Sequence, residues 1–249
     1  MLDPRFTIAA GKSAAFIADL HLLPTPDTTY DLALRFFDYA GSFDSLFILG
    51  DFFEYWIGDD DGLQQYAPII HALNKLTLSG CQLTVMHGNR DFLLGNEFAQ
   101  ASGAHLVTDD ELKISVDGCT TVLLHGDTLC TDDIRYQQFR KKVRDPKWQI
   151  EFLRKTIGER HAIARQMRNQ SSVESAQKEL KIMDVNSHEV QKNFSANCCS
   201  TMIHGHTHRP HLHQSMAPRS KRFVVGDWKA DHAQYVFYDG DKLSLESFR

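Results

Sequence analysis

Ala14-Ala15-Phe16-Ile17-Ala18-Asp19-Leu20-His21 decides the fold. Five apolar residues run without interruption and stop at an acid and an imidazole, which is how a short strand buried on both faces reads when it ends at a functional loop. The pattern recurs along the chain. Leu46 to Leu49 stops at Gly50-Asp51, and Leu83 to Met86 is followed by Gly88-Asn89-Arg90-Asp91. Val122 to Leu124 runs into His125-Gly126-Asp127, and Met202 to Ile203 into His204-Gly205-His206-Thr207-His208. Phe223 to Val225 is a sixth apolar run. Between the first three lie segments with helical spacing, Leu32 to Tyr39 and Tyr66 to Leu78, and such alternation of strand and helix predicts an α/β fold with parallel pairing. Two Asp-Gly pairs, Asp117-Gly118 and Asp239-Gly240, separate alternating runs and predict hairpins, so the sheets are expected to be mixed.

The totals bound the rest. With 249 residues and 42% apolar content, the chain can bury a sizeable core as one domain, 1–249, and disorder, collagen and coiled coil are excluded. No apolar run approaches the roughly 20 residues that cross a bilayer. Met1 to Ser13 has no continuous apolar stretch before a small-residue cleavage site, so a cytosolic protein is expected. Five cysteines (Cys81, Cys119, Cys130, Cys198 and Cys199) form no C-x-x-C pair, and the odd number points to reduced thiols.

The stretch from Thr131 to Asn197 breaks the strand pattern. Trp148 and Phe152, Leu153 and Ile157, and Ile163 and Met167 are each four apart, which predicts a helical insert or cap over 131–197. Its charge is distinct. Arg135 to Lys192 holds 14 Lys and Arg against 7 Asp and Glu, on a chain whose net charge is −5. A basic insert on an acidic body is expected to meet something anionic, either a phosphorylated substrate or an anionic membrane surface. Nothing points to nucleic acid or to an obligate protein partner.

Ligands at the carboxyl ends of parallel strands line a common crevice, so the five polar clusters are expected to converge. Any one of them alone has structural uses, and isolated histidines such as His71 and His105 read as surface or core residues. The ordered set is a different matter. Four imidazoles (His21, His125, His206, His208), two carboxylates (Asp19, Asp51) and the Asn89 amide are borderline donors, better suited to Mn, Fe or Zn than to all-oxygen Ca or Mg sites. Glycines beside Asp51, Asn89, His125 and His206 are expected to let the backbone turn sharply there.

Asp-x-His, Gly-Asp, Gly-Asn, His-Gly and Gly-His-x-His in this order resemble the calcineurin-like metallophosphoesterase superfamily, over residues 14 to 208. The resemblance implies a sandwich of two mixed β-sheets flanked by helices, and two divalent metal ions, Mn2+ by preference. Asp19, His21 and His208 would hold one metal, Asn89, His125 and His206 the other, and Asp51 would bridge them. Two cations bring +4 against −2 from the aspartates, leaving an electrophilic centre that attracts phosphate oxygens. Where many such enzymes carry Gly-Asn-His-Asp, this chain has Arg90, a clamp for phosphate oxygens that cannot donate a proton. That favours a diphosphate with a nucleotide leaving group, and implies Asp51, Asn89, Arg90 and His206 as the catalytic set.

Longer strings narrow the resemblance: Ile48 to Glu54 running to Trp56-Ile57-Gly58-Asp59-Asp60, His87 to Leu94, His125 to Asp133, and Ile182 to Asn186. Together they are similar to the UDP-2,3-diacylglucosamine hydrolase family, the pyrophosphatases of lipid A biosynthesis. This implies water attack at the α-phosphorus of UDP-2,3-diacylglucosamine, giving UMP and 2,3-diacylglucosamine 1-phosphate, at the cytoplasmic face of the inner membrane. It also implies substrate contacts from Asn89, Arg90, His206, Asp133, Ser171, Ser175 and Lys178, with Arg168 beside the sugar phosphate. Phe139, Trp148, Phe152, Ile157, Ile163 and Met167 would line acyl grooves. Another two-metal phosphoesterase, such as a dinucleoside polyphosphatase or phosphodiesterase, would show a polar cleft without a greasy cap. A catalytically inactive scaffold of the same fold would usually lack ligands, and none is missing here.

Overall fold

Alternate residues of the central strands face two different cores, which is why their apolar runs are continuous. A computed structural model describes residues 6–177, 184–214 and 220–249, the side chains of 171–177 excepted. It contains two six-stranded mixed sheets. The first has the order β12 (Leu243–Phe248), β11 (Ala233–Tyr238), β2 (Ala14–Ile17), β3 (Ser45–Ile48), β4 (Gln82–Met86), β5 (His105–Val107). Strands β2 to β5 are parallel, and β11 is antiparallel to both β2 and β12. The second has the order β1 (Thr7–Ile8), β6 (Glu111–Val116), β7 (Cys119–Leu124), β8 (Thr201–His204), β10 (Lys221–Val224), β9 (His211–Gln214). Here β7, β8 and β10 are parallel neighbours. Both Asp-Gly hairpins are present, with Val116 paired to Cys119 and Tyr238 to Leu243.

Ala14, Phe16, Phe47 and Leu49 join Ile114, Leu123, Ile203 and Phe223 in a core between the sheets. Ala15, Ile17, Leu46 and Ile48 point the other way, into a core shared with the helices α1 (Thr28–Ala40), α3 (Ala67–Leu78) and α4 (Asn96–Ser102). The first of these begins where Asp27 accepts a hydrogen bond from the Tyr30 amide, and buries Leu32, Ala33, Phe36, Phe37 and Ala40. A short helix, α2 (Asp59–Gln65), precedes α3.

The stretch 131–197 supplies α5 (Ile134–Val143), α6 (Pro146–Leu153), α7 (Ile157–Gln177) and α8 (Ser187–Asn197). Leu153 and Ile157, expected on one helix, fall on two. Thr156 and Glu159 form a capping box that restarts the helix, the Glu159 carboxylate accepting from the Thr156 amide at 2.9 Å. The last helix is set apart from the other three. Val190 and Phe194 of α8 pack on Val122, Leu124 and Met202, covering the outer face of the second sheet. Asn186 caps it by accepting from the His188 amide at 2.9 Å. By contrast α7 is bolted to the start of α2: the buried Arg160 donates to the Ile57 carbonyl at 2.7 Å and to Asp60 at 2.8 Å. Among the described residues, no helix is long and apolar enough to cross a membrane.

Candidate metal centre

β2, β3 and β4 are parallel neighbours in one sheet and β7 and β8 in the other, so the loops after all five leave from one end of the sandwich. The strand pairing persists into those loops: the His21 amide donates to Asp51 O at 3.0 Å, and the Gly205 amide to His125 O at 2.8 Å. All seven predicted ligands converge there. Asn89 Oδ1, His125 Nε2 and His206 Nδ1 form a triangle with edges of 2.8, 2.9 and 3.2 Å. On the other side, His21 and His208 stack with ring centroids 4.9 Å apart and their Nε2 atoms 3.0 Å apart. Asp19 and Asp51 lie between. Asp51 has Oδ1 3.6 Å from His125 Nε2 and Oδ2 3.9 Å from His21 Nδ1, while Asp19 Oδ1 is 3.9 Å from His208 Nε2.

These contacts fit cations. His125 Nδ1 must carry its proton, because its partner at 3.0 Å is the Leu49 carbonyl, which only accepts. That leaves a bare Nε2 lone pair 2.8 Å from the Asn89 carbonyl oxygen, two acceptors face to face. Asp19 Oδ1 is buried with no hydrogen-bond partner among the described residues. A cation satisfies each of these at once. Burial, and then the nearby Asp51 carboxylate, push the Asp19 pKa well above the usual range. Burial pulls His206 and His208 down to about 4, so both imidazoles are neutral donors near neutral pH.

The candidate ligands themselves carry the backbone strain. Asp19, His21, Asp51, His206 and His208 all have φ between 49° and 68°, the left-handed region that most residues avoid. Of the four glycines expected to make the sharp turns, Gly50 and Gly126 do so with φ of 89° and 120°, whereas Gly88 and Gly205 are not in that region. They are needed for close approach. A methyl on Gly88 would sit 2.0 Å from the Asp51 amide nitrogen, and one on Gly205 2.4 Å from Asp19 Oδ2.

Three carboxyl groups that sequence reasoning left unassigned, two of them buried and Glu54 half-buried, hold the loops. Asp91 is fully buried and accepts from the amides of Gly88 (2.8 Å), Phe52 (2.7 Å), Phe53 (3.3 Å) and Asp51 (3.3 Å), tying the β3 and β4 loops together. Asp127 accepts from Tyr136 Oη at 2.5 Å and Arg140 Nε at 2.7 Å, joining α5 to the His125 turn. Burial alone would raise its pKa, but His125, Arg140 and His206 outweigh it and hold the carboxyl low. Glu54 accepts from Arg90 Nη1 at 2.7 Å and is paired with Arg168 of α7. Their sequence signal is weak. Asp91 and Asp127 each stand two residues from a ligand, whereas the partners of Glu54 are distant in the chain.

Beside the centre opens a cavity of about 490 Å³. Asn89, Arg90, Glu54 and Arg168 line it at the polar end, and Phe92, Phe139, Trp148, Phe152 and Met167 elsewhere. Trp148 and Phe152 stack with centroids 5.0 Å apart. Ile163 packs against the main core and Ile157 is 42% exposed, so neither lines the cavity. Asp133 caps α5, accepting from the Tyr136 amide at 3.1 Å, and is not among the lining residues. Lys178 and the side chains of Ser171 and Ser175 lie outside the described residues.

A profile of the calcineurin-like phosphoesterase family matches residues 13–210. The chain is 45% identical to the UDP-2,3-diacylglucosamine hydrolase of Chromobacterium violaceum, over 90% of this chain and 94% of that one. It is 44% identical to the protein of the same name from Yersinia enterocolitica, over 95% of this chain and 99% of the relative. A solved structure described as a novel archaeal phosphodiesterase matches 95% of this chain and 98% of its own, with a TM-score of 0.50 and 9% identity, a likeness of fold alone.

Proposed function

The chain belongs to the calcineurin-like phosphoesterase family, and from that membership and its likeness to UDP-2,3-diacylglucosamine hydrolases we propose that it cleaves the diphosphate of UDP-2,3-diacylglucosamine. Water attacks the α-phosphorus, its oxygen stays with UMP, and the bond to the bridging oxygen breaks to release 2,3-diacylglucosamine 1-phosphate. The observation that carries this is the continuity of the ligand cluster with a cavity that has two guanidinium groups at one end and stacked aromatic rings at the other.

In this reading Asp19, His21 and His208 would hold one divalent cation and Asn89, His125 and His206 the other, with Asp51 serving both. The mixed imidazole and oxygen donors suit Mn, Fe or Zn, and the family resemblance favours Mn2+ among them. Such a pair, when bound, supplies Lewis acidity for water activation and charge stabilisation. Arg90 and Arg168 bind and orient the diphosphate, the planar fork of each guanidinium matching phosphate oxygens. Phe139, Trp148, Phe152 and Met167 receive the acyl chains and exclude water from the cleft. Asp133, Ser171, Ser175 and Lys178 complete the contacts to the sugar headgroup. Helices α5 to α7 form the cap, and α8 belongs to the body.

The outer surface of the cap favours peripheral attachment to an anionic bilayer. Ile134, Ile150, Leu153 and Ile157 are each more than 40% exposed. Lys141, Lys142, Lys147, Arg154 and Lys155 of the same stretch are exposed too, against the exposed acids Asp145, Glu151 and Glu159. Exposed apolar residues together with an excess of exposed basic ones suit the cytoplasmic leaflet, where each Lys or Arg contributes about 1 kcal/mol. Binding to phosphatidylglycerol vesicles that weakens with salt is expected; equal binding to phosphatidylcholine at every ionic strength contradicts it. The decisive test of the reaction is hydrolysis in oxygen-18 water with Mn2+. Mass spectrometry is expected to find the label in UMP, and label in the sugar phosphate instead overturns attack at the α-phosphorus.

A further inference from the structure

Glu54 is a half-buried acid at the junction of the metal loops and α7 to which neither the donor set nor the cavity assigns a task. Its backbone is fixed: the Glu54 amide donates to Leu22 O at 2.9 Å, in the same ladder that places His21 against Asp51. Its side chain meets three groups. Oε2 accepts from Arg90 Nη1 at 2.7 Å, Oε1 is paired with Arg168, and His21 Nδ1 is 3.5 Å from Oε2.

Two physical requirements converge on this carboxylate. Arg90 and Arg168 carry like charges at one end of the cavity, and a carboxylate between them offsets their repulsion and fixes their mutual spacing. His21 presents Nε2 toward His208, so when Nε2 gives its lone pair to a cation, Nδ1 must keep the proton. That Nδ1 is buried and has no hydrogen-bond partner among the described residues. The other carboxylate near it, Asp51, is farther away at 3.9 Å and has the same oxygen 3.3 Å from Arg90 Nε. A metal-bound imidazole whose second nitrogen faces a carboxylate is held in one tautomer and made a stronger donor.

We propose that Glu54 is a positioning residue that couples the cap to the metal centre, orienting His21 through Nδ1 while holding the Arg90 and Arg168 pair. The assignment rests on reading His21 as a metal ligand. Loss of the carboxylate then weakens one metal and loosens α7 together, two effects that a merely structural acid would not link.

The test is Mn2+ titration of the metal-stripped protein, with hydrogen exchange of α7 read in parallel. Wild type is expected to bind two ions. In Glu54→Gln one binding step weakens by about 10- to 100-fold, the other stays within about threefold, and α7 exchanges faster. Glu54→Asp, a milder change that keeps the charge, weakens the same step by about 3- to 10-fold. Arg168→Gln loosens α7 but leaves both Mn2+ steps unchanged. Two wild-type steps with the same two steps in Glu54→Gln and Glu54→Asp overturn the role of Glu54 and leave the metal centre standing. A wild-type protein that binds no Mn2+ overturns the centre itself.

Discussion

Replacing Asp91 with alanine is expected to destabilise the fold more than removing any exposed charge, although Asp91 is assigned no part in the chemistry. Its carboxylate is fully buried and accepts four backbone amides, two of them at 2.7 and 2.8 Å. Burial, followed by the Asp51 charge, pushes its pKa up to about 6, so at pH 7.5 it is ionised and its hydrogen bonds are charge-assisted. Deleting the side chain leaves four buried amides without their acceptor, at about 1–3 kcal/mol each. Relief of a buried charge whose pKa is raised returns about 3 kcal/mol, so a net cost of about 3–6 kcal/mol is expected. That is a large share of the ~5–15 kcal/mol that typically holds a domain together. The assay is urea unfolding followed by circular dichroism at pH 7.5, with chelator present throughout so that metal affinity does not enter the difference. Asp91→Asn, which keeps one acceptor oxygen but turns an amide toward the remaining N–H groups, is expected to fall between wild type and alanine. An alanine variant within about 1 kcal/mol of wild type would refute the idea that this one side chain ties the Gly50-Asp51 and Gly88-Asn89 turns together.

Asp51→Ala is expected to abolish turnover and disrupt binding of both ions, whereas Arg90→Ala keeps two ions and loses about 10- to 100-fold in kcat/KM, the range set by hydrogen bonds to a charged group; inductively coupled plasma mass spectrometry and steady-state rates separate the two, and full activity in Arg90→Ala would remove the proposed clamp. Arg160→Met removes the buried bolt between α7 and Asp60, so amide exchange at the start of α7 is expected to accelerate at least about tenfold while the central strands stay protected. Burial pushes Cys81 and Cys130 up to about 12 and Cys199 to about 11, while Cys119 and Cys198 are exposed. At pH 8 a thiol at 12 is only ~10⁻⁴ thiolate, so iodoacetamide is expected to label Cys119 and Cys198 first and Cys81 last together with Cys130, with peptide mass spectrometry reading the order.

The central strands were legible in the sequence because both their faces are buried, which turns each into an unbroken apolar run that stops where the ligands begin. Strands β1 and β5 were not, being two and three residues long and stabilised by pairing rather than composition. The break between α6 and α7 had a signal, Thr156 three residues before Glu159, that the four-residue spacing of Leu153 and Ile157 concealed. The Thr131 to Asn197 stretch reads as uniformly helical, and only the contacts of Val190 and Phe194 show that its last helix serves the body. For the centre, the convergence of the seven candidate ligands was carried by order along the chain. The supports were not, since Asp127 meets Arg140 and Glu54 meets Arg168 only across the folded surface.

That difference has a thermodynamic side. Five of the candidate ligands hold left-handed backbone, a conformation that costs an L-residue roughly 1–2 kcal/mol. Aspartate and histidine tolerate it better than branched residues do, so the choice of donor and the choice of backbone reinforce each other. Two buried carboxylates lie among these turns with their pKa values raised by burial, and one oxygen, Asp19 Oδ1, has no hydrogen-bond partner among the described residues. None of this can be relaxed by a small shift of one loop. The amides facing Asp91, the closeness of Gly88 to Asp51 and of Gly205 to Asp19, and the strand ladders running into the turns fix the backbone from several sides. Local rules are broken at the ligands and obeyed in the strands that carry them, the pattern expected of a site whose unfavourable terms are offset by the rest of the fold and relieved when positive charge arrives.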